Sequence, residues 1–144
     1  MNAKTLLLVE DDKNIALAFG ARLKASGYNV HTAADAVTAV SLARTHKPDL
    51  AILDISLPGG NGFTVAERIR NLDGLNHMPF VFITASRNPG LRERAEALGA
   101  EAFLSKPFDA LQLLEAIVKA LRTDDEMPMP PLPEIDMTAL PAAR

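Results

Sequence analysis

Short apolar runs alternate with longer segments in which apolar residues recur every three or four positions through residue 122 of the chain. Short apolar runs are typical of buried strands, and the longer spacing is typical of helices that bury one side. The predicted strands are Thr5–Val9, Asn29–Ala33, Leu50–Leu53, Phe80–Ile83 and Ala102–Leu104. The predicted helices are Lys13–Ser26, Ala36–His46, Phe63–Asp73, Leu91–Leu98 and Ala110–Arg122.

Residues that favour helix ends stand at several of these boundaries. Asp12 is predicted to cap the first helix and Gly27 to end it, while Asp109 is predicted to cap the last helix. The apolar residues assigned to the helical repeat of the first helix are Ile15, Leu17, Phe19 and Leu23.

Strict alternation of strand and helix predicts an α/β fold of five βα units. Parallel strands need crossover connections of about helix length, so the sheet is expected to be parallel and doubly wound, with helices on both faces. The continuously apolar first, third and fourth strands indicate central positions, whereas the mixed sequence NVHTA at Asn29–Ala33 indicates an edge strand.

Composition narrows the functional classes. The chain has 144 residues and no cysteine, which excludes disulfides, thiolate metal sites and a cysteine nucleophile. Its net charge of −3 divides into about +1 for residues 1–122 and −4 for residues 123–144, so nothing favours nucleic-acid binding. The N-terminal apolar run is interrupted by acids at Glu10, which predicts neither a signal peptide nor a membrane span and favours a cytoplasmic protein.

Polar residues follow four of the five predicted strands. Ligands of open parallel sheets bind outside the carboxyl ends of the strands, so the residues placed there are the candidate site. The first strand is followed by Glu10 and Asp11 and the third by Asp54, while Thr84 follows the fourth and Lys106 stands two residues after the fifth. Any one of these residues alone would more often be a turn, packing or surface residue. Because all of them are expected at the same edge of the sheet, together they predict a functional site.

The charges of that predicted site call for a cation. Two carboxylates about 4 Å apart repel by roughly 4 kcal/mol at an effective dielectric near 20. An all-oxygen set without histidine or cysteine favours Mg²⁺, which bridges carboxylates and phosphate. We therefore predict phosphoryl chemistry, with Asp54 as the carboxylate nucleophile, Glu10 and Asp11 as metal ligands, and Lys106 and Thr84 as partners of the phosphoryl oxygens.

Four segments together resemble the receiver domain of two-component response regulators: LLLVEDD, LDISLPGGNGF, ITAS and FLSKPFD. The resemblance covers roughly residues 4–122. It implies a flavodoxin-like fold with strand order 2-1-3-4-5 and phosphorylation of Asp54 by a histidine kinase or a histidine phosphotransfer protein. It also implies that the backbone carbonyl of Ser56 joins Glu10, Asp11 and Asp54 as a Mg²⁺ ligand, and that Asp12 is not a ligand.

The same resemblance implies a conformational switch. Thr84 and Phe103 are the expected switch residues, and the Lys106–Pro107 bond is expected to be cis. Output partners would bind the face formed by the fourth helix, the fifth strand and the fifth helix, and a second copy of the chain is an alternative partner there. The domain is expected to end at residue 122, followed by a proline-rich acidic tail or linker over residues 123–144.

Other functions agree less well with the sequence. The chain could be the receiver part of a larger regulator or hybrid kinase, whose output domain would lie elsewhere. A Mg²⁺-dependent phosphohydrolase that uses an aspartyl nucleophile commonly needs a second aspartate two residues later, where this chain has Ser56. A flavodoxin-type electron carrier is disfavoured because the three acids would repel a flavin phosphate, and a non-phosphorylated interaction module is disfavoured by the intact set of residues. We therefore expect a phosphoacceptor that assists its own phosphorylation and dephosphorylation rather than a turnover enzyme.

Overall fold

The computed structural model describes residues 3–58 and 60–125, with side chains described as far as Arg122. The main sheet contains β1 (Thr5–Val9), β2 (Asn29–Ala33), β3 (Leu50–Asp54), β4 (Phe80–Thr84) and β5 (Ala102–Ser105). The helices are α1 (Lys13–Ala25), α2 (Ala36–His46), α3 (Gly62–Arg70), α4 (Pro89–Ala97) and α5 (Ala110–Asp125). Residues 126–144, most of the predicted tail, lie outside the described residues.

The five main strands form one parallel sheet in the order β2-β1-β3-β4-β5. Leu6 of β1 pairs with Val30 of β2 on one side and with Leu50 of β3 on the other, which places β1 inside the sheet. The predicted parallel sheet and its strand order are confirmed, and β2 is an edge strand as its mixed sequence indicated.

Alternate residues of the central strands enter two separate hydrophobic cores, as the twofold repeat of a strand requires. Leu7 and Leu53 point into the core that is covered by α2, α3 and α4, where Phe63 and Phe82 are fully buried. Leu6, Leu50, Ile52 and Ile83 belong to the opposite core, which is covered by α1 and α5. Burial on both faces explains why β1, β3 and β4 are apolar except at their ends, where Thr5, Asp54 and Thr84 lie.

Side chains cap the helices at the positions that the sequence predicted. The Asp12 carboxylate accepts hydrogen bonds from the backbone N–H groups of Asn14 and Ile15, at 2.9 and 3.2 Å. Asp109 accepts from the N–H of Gln112, whose side-chain oxygen accepts from the Asp109 N–H, so a reciprocal cap starts α5. No helix in the described part of the chain combines the length and apolar character needed to cross a membrane.

Some details of the sequence-based prediction were wrong. Leu17 is 75% exposed, because it lies two residues from both Ile15 and Phe19 and therefore on the opposite side of α1. Helix α3 ends at Arg70 rather than Asp73, and α5 continues to Asp125. A short antiparallel pair, Ser56–Leu57 with Gly60–Asn61, was not predicted.

Candidate functional site

The backbone ladder fixes the residues at the carboxyl edge of the sheet. The N–H of Glu10 donates to the Ala33 carbonyl at 2.9 Å, which continues the pairing of β1 with β2. The N–H of Lys106 donates to the Thr84 carbonyl at 2.7 Å and similarly extends β5 beyond its last residue. The backbones of Glu10 and Lys106 are therefore held by the hydrogen-bond ladder of the sheet.

Lys106 joins the carboxylates that follow two different strands. Its Nζ lies 2.7 Å from Oε1 of Glu10 and 2.8 Å from Oδ2 of Asp54. Both carboxylates are almost fully buried, and the lysine side chain is largely covered. One ammonium group thus offsets part of the repulsion between two acids that burial would otherwise make strongly unfavourable.

This geometry raises the pKa of both Glu10 and Lys106. Burial raises the pKa of the Glu10 carboxyl, and hydrogen bonds from Lys106 and from the Asp12 N–H only partly oppose that rise, while the nearby Asp54 charge adds to it. Burial acts to lower the pKa of Lys106, but hydrogen bonds and charge from Asp54 and Glu10 outweigh it and raise that pKa. Lys106 is therefore held as a cation at neutral pH.

Three carboxylates gather beside Lys106. One oxygen from each of Glu10, Asp11 and Asp54 lies within 4.8 Å of the others, and Asp11 is exposed to solvent. At that separation two carboxylates repel by about 3 kcal/mol at an effective dielectric near 20. Oxygen donors of this kind suit a hard divalent cation that keeps part of its water shell, so the donor set fits Mg²⁺.

Glycine at position 62 permits the close packing of the segment that follows Asp54. A Cβ atom at Gly62 would lie 2.6 Å from the Asp54 carbonyl oxygen and 3.1 Å from the Ile55 Cα, both main-chain atoms. The Gly62 N–H donates to the Ile55 carbonyl at 2.9 Å and closes this segment against the end of β3. Gly62 was not among the predicted site residues, although the run PGGNG, which begins four residues after Asp54, signals a tight backbone approach.

Ser56 contacts Asp54 through its backbone. Its backbone N–H donates to Oδ1 of Asp54 at 3.0 Å, while its side chain is exposed. Together with Lys106 on Oδ2, this bond fixes both oxygens of the Asp54 carboxylate. Asp12 instead caps α1, and its N–H donates to Oε2 of Glu10 at 3.1 Å, so it orients a neighbouring acid.

Thr84 and Phe103 occupy different environments. Thr84 is fully buried, and its Oγ1 accepts a hydrogen bond from the Ser86 N–H at 3.0 Å. Phe103 is half-buried on β5 and packs against the core that lies under α2, α3 and α4. The predicted cis bond between Lys106 and Pro107 is present.

The sequence and the structure both match one family. A sequence model of the response regulator receiver domain matches residues 6–118. The polar-differentiation response regulator DivK of Brucella anthropi is 35% identical over 114 residues, which cover 79% of this chain and 93% of that protein. The chain therefore belongs to the response regulator receiver domain family of two-component systems.

Solved structures agree with this assignment. A CheY-like receiver domain from Methanospirillum hungatei superposes with a TM-score of 0.81 at 27% identity, covering 88% of this chain and 99% of its own. The receiver domain of the sensor histidine kinase PA1611 from Pseudomonas aeruginosa, described with a magnesium ion in its active-site cleft, gives a TM-score of 0.75 at 28% identity. That match covers 83% of this chain and 98% of the PA1611 domain. Receiver domains are signalling proteins rather than turnover enzymes, and the acidic cluster here is compatible with Mg²⁺ and phosphorylation.

Proposed function

We propose that this receiver accepts a phosphoryl group on Asp54 and converts that modification into a change of its output surface. The main support for this proposal is that the Lys106 ammonium group contacts Oδ2 of Asp54 and Oε1 of Glu10 beside the exposed Asp11 carboxylate. A buried nucleophile, a fixed cation and a group of metal-ligating acids form the set that phosphoryl transfer needs.

The transfer itself is a displacement at phosphorus. An oxygen of the Asp54 carboxylate forms a bond to phosphorus while the bond from phosphorus to the donor nitrogen of a phosphohistidine breaks, and that nitrogen keeps the electron pair. A histidine kinase or a histidine phosphotransfer protein is the proposed donor. Hydrolysis restores the free carboxylate: water attacks phosphorus, the Asp54 carboxylate leaves with the electrons of the broken bond, and the products are inorganic phosphate and a proton released to solvent.

Glu10, Asp11, Asp54 and the backbone carbonyl of Ser56 are the proposed Mg²⁺ ligands. When bound, the ion supplies positive charge that offsets the negative charge of the phosphoryl oxygens. The chain's own groups hold the reacting atoms in place: the Ser56 N–H fixes Oδ1 of Asp54, and Lys106 is near enough to turn to a phosphoryl oxygen.

Thr84 and Phe103 are the proposed switch. The Thr84 hydroxyl accepts from Ser86, and its own hydrogen is available to a phosphoryl oxygen on Asp54. If the hydroxyl turns toward Asp54, the space it leaves admits the Phe103 ring from its half-buried position. Phosphorylation thereby favours one of two existing conformations rather than creating a new one.

The proposed output surface is the face made by α4, β5 and α5. Leu111 and Val118 lie seven residues apart on the same side of α5 and are 60% and 41% exposed. Exposed apolar residues at this spacing suit a partner protein, and a second copy of the chain is an alternative occupant. Residues 123–144 are proposed to be a tail or linker outside the receiver, as their proline content and acidic charge indicate.

Mass spectrometry tests the phosphoacceptor. After incubation with acetyl phosphate and Mg²⁺, the wild-type chain is expected to gain one phosphoryl group, and Asp54→Asn is expected to gain none. Asp12→Asn is the matched control: it removes an equal charge close to the site from a residue that caps α1, and it should still be phosphorylated. No adduct on the wild type, or an adduct on Asp54→Asn, would overturn the proposal.

A further inference from the structure

Phe103 lies at the border between the hydrophobic core and solvent, and its side chain has no polar group that could bond to water. Its ring is half-buried on β5, opposite Phe82 in the strand register, and lies against the core. Tyrosine and tryptophan at such borders direct a hydroxyl or an N–H group outward to a hydrogen-bond partner, and phenylalanine has neither. The exposed part of the ring therefore depends on some other contact for its stability.

Arg92 of α4 provides that contact. Its guanidinium carbon lies 4.7 Å from the centroid of the Phe103 ring, within the range of a cation–π interaction. Helix α4 has a small apolar attachment to the core, since Ala95 is its one fully buried side chain and Leu91 is only partly buried there. A second arginine on the same helix, Arg94, lies 4.6 Å from the ring of Phe63.

The two arginine contacts of α4 involve aromatic rings with different roles. Phe63 is fully buried at the start of α3 and packs on Phe82, with ring centroids 4.9 Å apart. Phe103 is the ring that the proposed switch moves. Inward rotation of Phe103 would take it away from the guanidinium of Arg92, so this contact stabilises one orientation of the switch, whereas the contact of Arg94 with Phe63 stabilises both.

We propose that Arg92 is a positioning residue that holds Phe103 in its half-exposed orientation and so sets the resting balance of the switch. The inference rests on the proposed function for the meaning of the inward orientation. A contact made in only one of two states shifts their ratio by its full strength. Cation–π contacts at exposed sites have strengths that correspond to about a two- to fivefold change in that ratio.

The test measures the orientation of Phe103 without any phosphoryl donor. The chain contains six phenylalanines, so uniform labelling with 4-fluorophenylalanine gives six fluorine resonances, and Phe103→Leu identifies the one from position 103. The change of that resonance between H₂O and D₂O reports how much of the ring is exposed to solvent. The measured variants are Arg92→Gln and, as a matched control on the same helix, Arg94→Gln.

In Arg92→Gln, the exposure of the Phe103 ring is expected to fall as its inward fraction rises about two- to fivefold. Arg94→Gln should leave the Phe103 resonance unchanged. Increased exposure in Arg92→Gln would mean that the arginine only covers a ring that stays in place, and this would overturn the proposal. Unchanged exposure of the Phe103 ring, or an equal change in both variants, would overturn it as well.

The proposed phosphoacceptor function and the proposed role of Arg92 can be refuted independently. Absence of an Asp54 adduct refutes the phosphoacceptor function and leaves the resting exposure of Phe103 measurable. Conversely, a normal adduct with unchanged Phe103 exposure in Arg92→Gln refutes only the role of Arg92. Where the adduct forms, Arg92→Gln is also expected to react with acetyl phosphate about two- to fivefold faster, because more of it starts in the favoured conformation.

Discussion

At the scale of single residues, Lys106 holds together two buried acids that the strands bring to one edge. Its ammonium group lies within 2.8 Å of both Glu10 and Asp54. The sequence predicted that these residues converge, because they follow parallel strands. It could not predict that the lysine bridges two carboxylates, since that depends on the side-chain torsions of three residues that are distant in the chain.

Replacing Lys106 with methionine tests how much its two ion pairs contribute to the stability of the fold. Lys106→Met leaves Glu10 and Asp54 buried without a counter-charge, and we expect the free energy of unfolding at pH 7 to fall by about 1–3 kcal/mol. Denaturant unfolding without Mg²⁺ measures the change. The double variant Lys106→Met with Asp54→Asn removes one of the two acids and should recover part of the loss; an equal or larger loss would contradict the electrostatic explanation.

Gly62 gives a second prediction at the scale of one residue. In Gly62→Ala the new Cβ would overlap main-chain atoms of Asp54 and Ile55, so we expect a loss of about 1–3 kcal/mol in the free energy of unfolding. Gly20→Ala is the matched control, because Gly20 lies within α1 and its Cβ would meet Thr32 at an ordinary 3.9 Å. That change should stabilise the protein by about 0.5–1 kcal/mol. Equal effects of the two substitutions would contradict the argument.

At the scale of elements, β1, β3 and β4 were predictable because burial on both faces makes them apolar, and the predicted bounds of all five main strands agree within one residue. The pair Ser56–Leu57 and Gly60–Asn61 was not predictable, since two-residue strands carry no periodic signal. Helix α4 was recognised from its length and its end signals. Its attachment through Arg92 and Arg94 could not be seen, because charged residues on a helix usually indicate a solvated face.

The contact between α2 and the edge strand β2 predicts a pH dependence. His31 of β2 stacks on His46, the last residue of α2, with ring centroids 3.7 Å apart. Burial lowers the pKa of His31 below its ordinary value of 6.5, and the charges of His46 and of Lys24 on α1 add to this effect. The unfolded chain therefore binds more protons than the folded chain just below pH 6.5, so this contact loses stability as the pH falls through that value.

Denaturant unfolding at pH 8 and pH 5 checks this expectation. The wild-type chain should lose about 1 kcal/mol more on acidification than His46→Gln, which is the size of the repulsion between two charges at this distance in water. His77, an exposed histidine of the segment between α3 and β4, provides the control. His77→Gln should follow the wild type, and a pH response of His46→Gln equal to that of the wild type would contradict the role of the stacked pair.

At the scale of the whole molecule, the sheet order and the two hydrophobic cores follow from the alternation of strand and helix. Alternate residues of β1, β3 and β4 face opposite cores, and this requirement leaves the polar residues of those strands only at their ends. The fold thus delivers Asp54 and Glu10 to a common edge at the cost of burying like charges. The proposed Mg²⁺ site therefore couples the stability of the fold to the proposed phosphoryl chemistry.

That coupling predicts how Mg²⁺ changes the stability of the folded chain. Saturation with Mg²⁺ at about 100 times its dissociation constant should raise the free energy of unfolding by about 2.7 kcal/mol, and removal of the ion with EDTA should reverse the gain. Asp11→Asn should abolish most of this gain, because it removes a proposed ligand. Asp12→Asn loses the same charge one position later but keeps the α1 cap, since asparagine caps helices as well as aspartate does. It should therefore retain the gain; equal losses in the two variants would show that Mg²⁺ responds to net charge near the edge rather than to a site that includes Asp11.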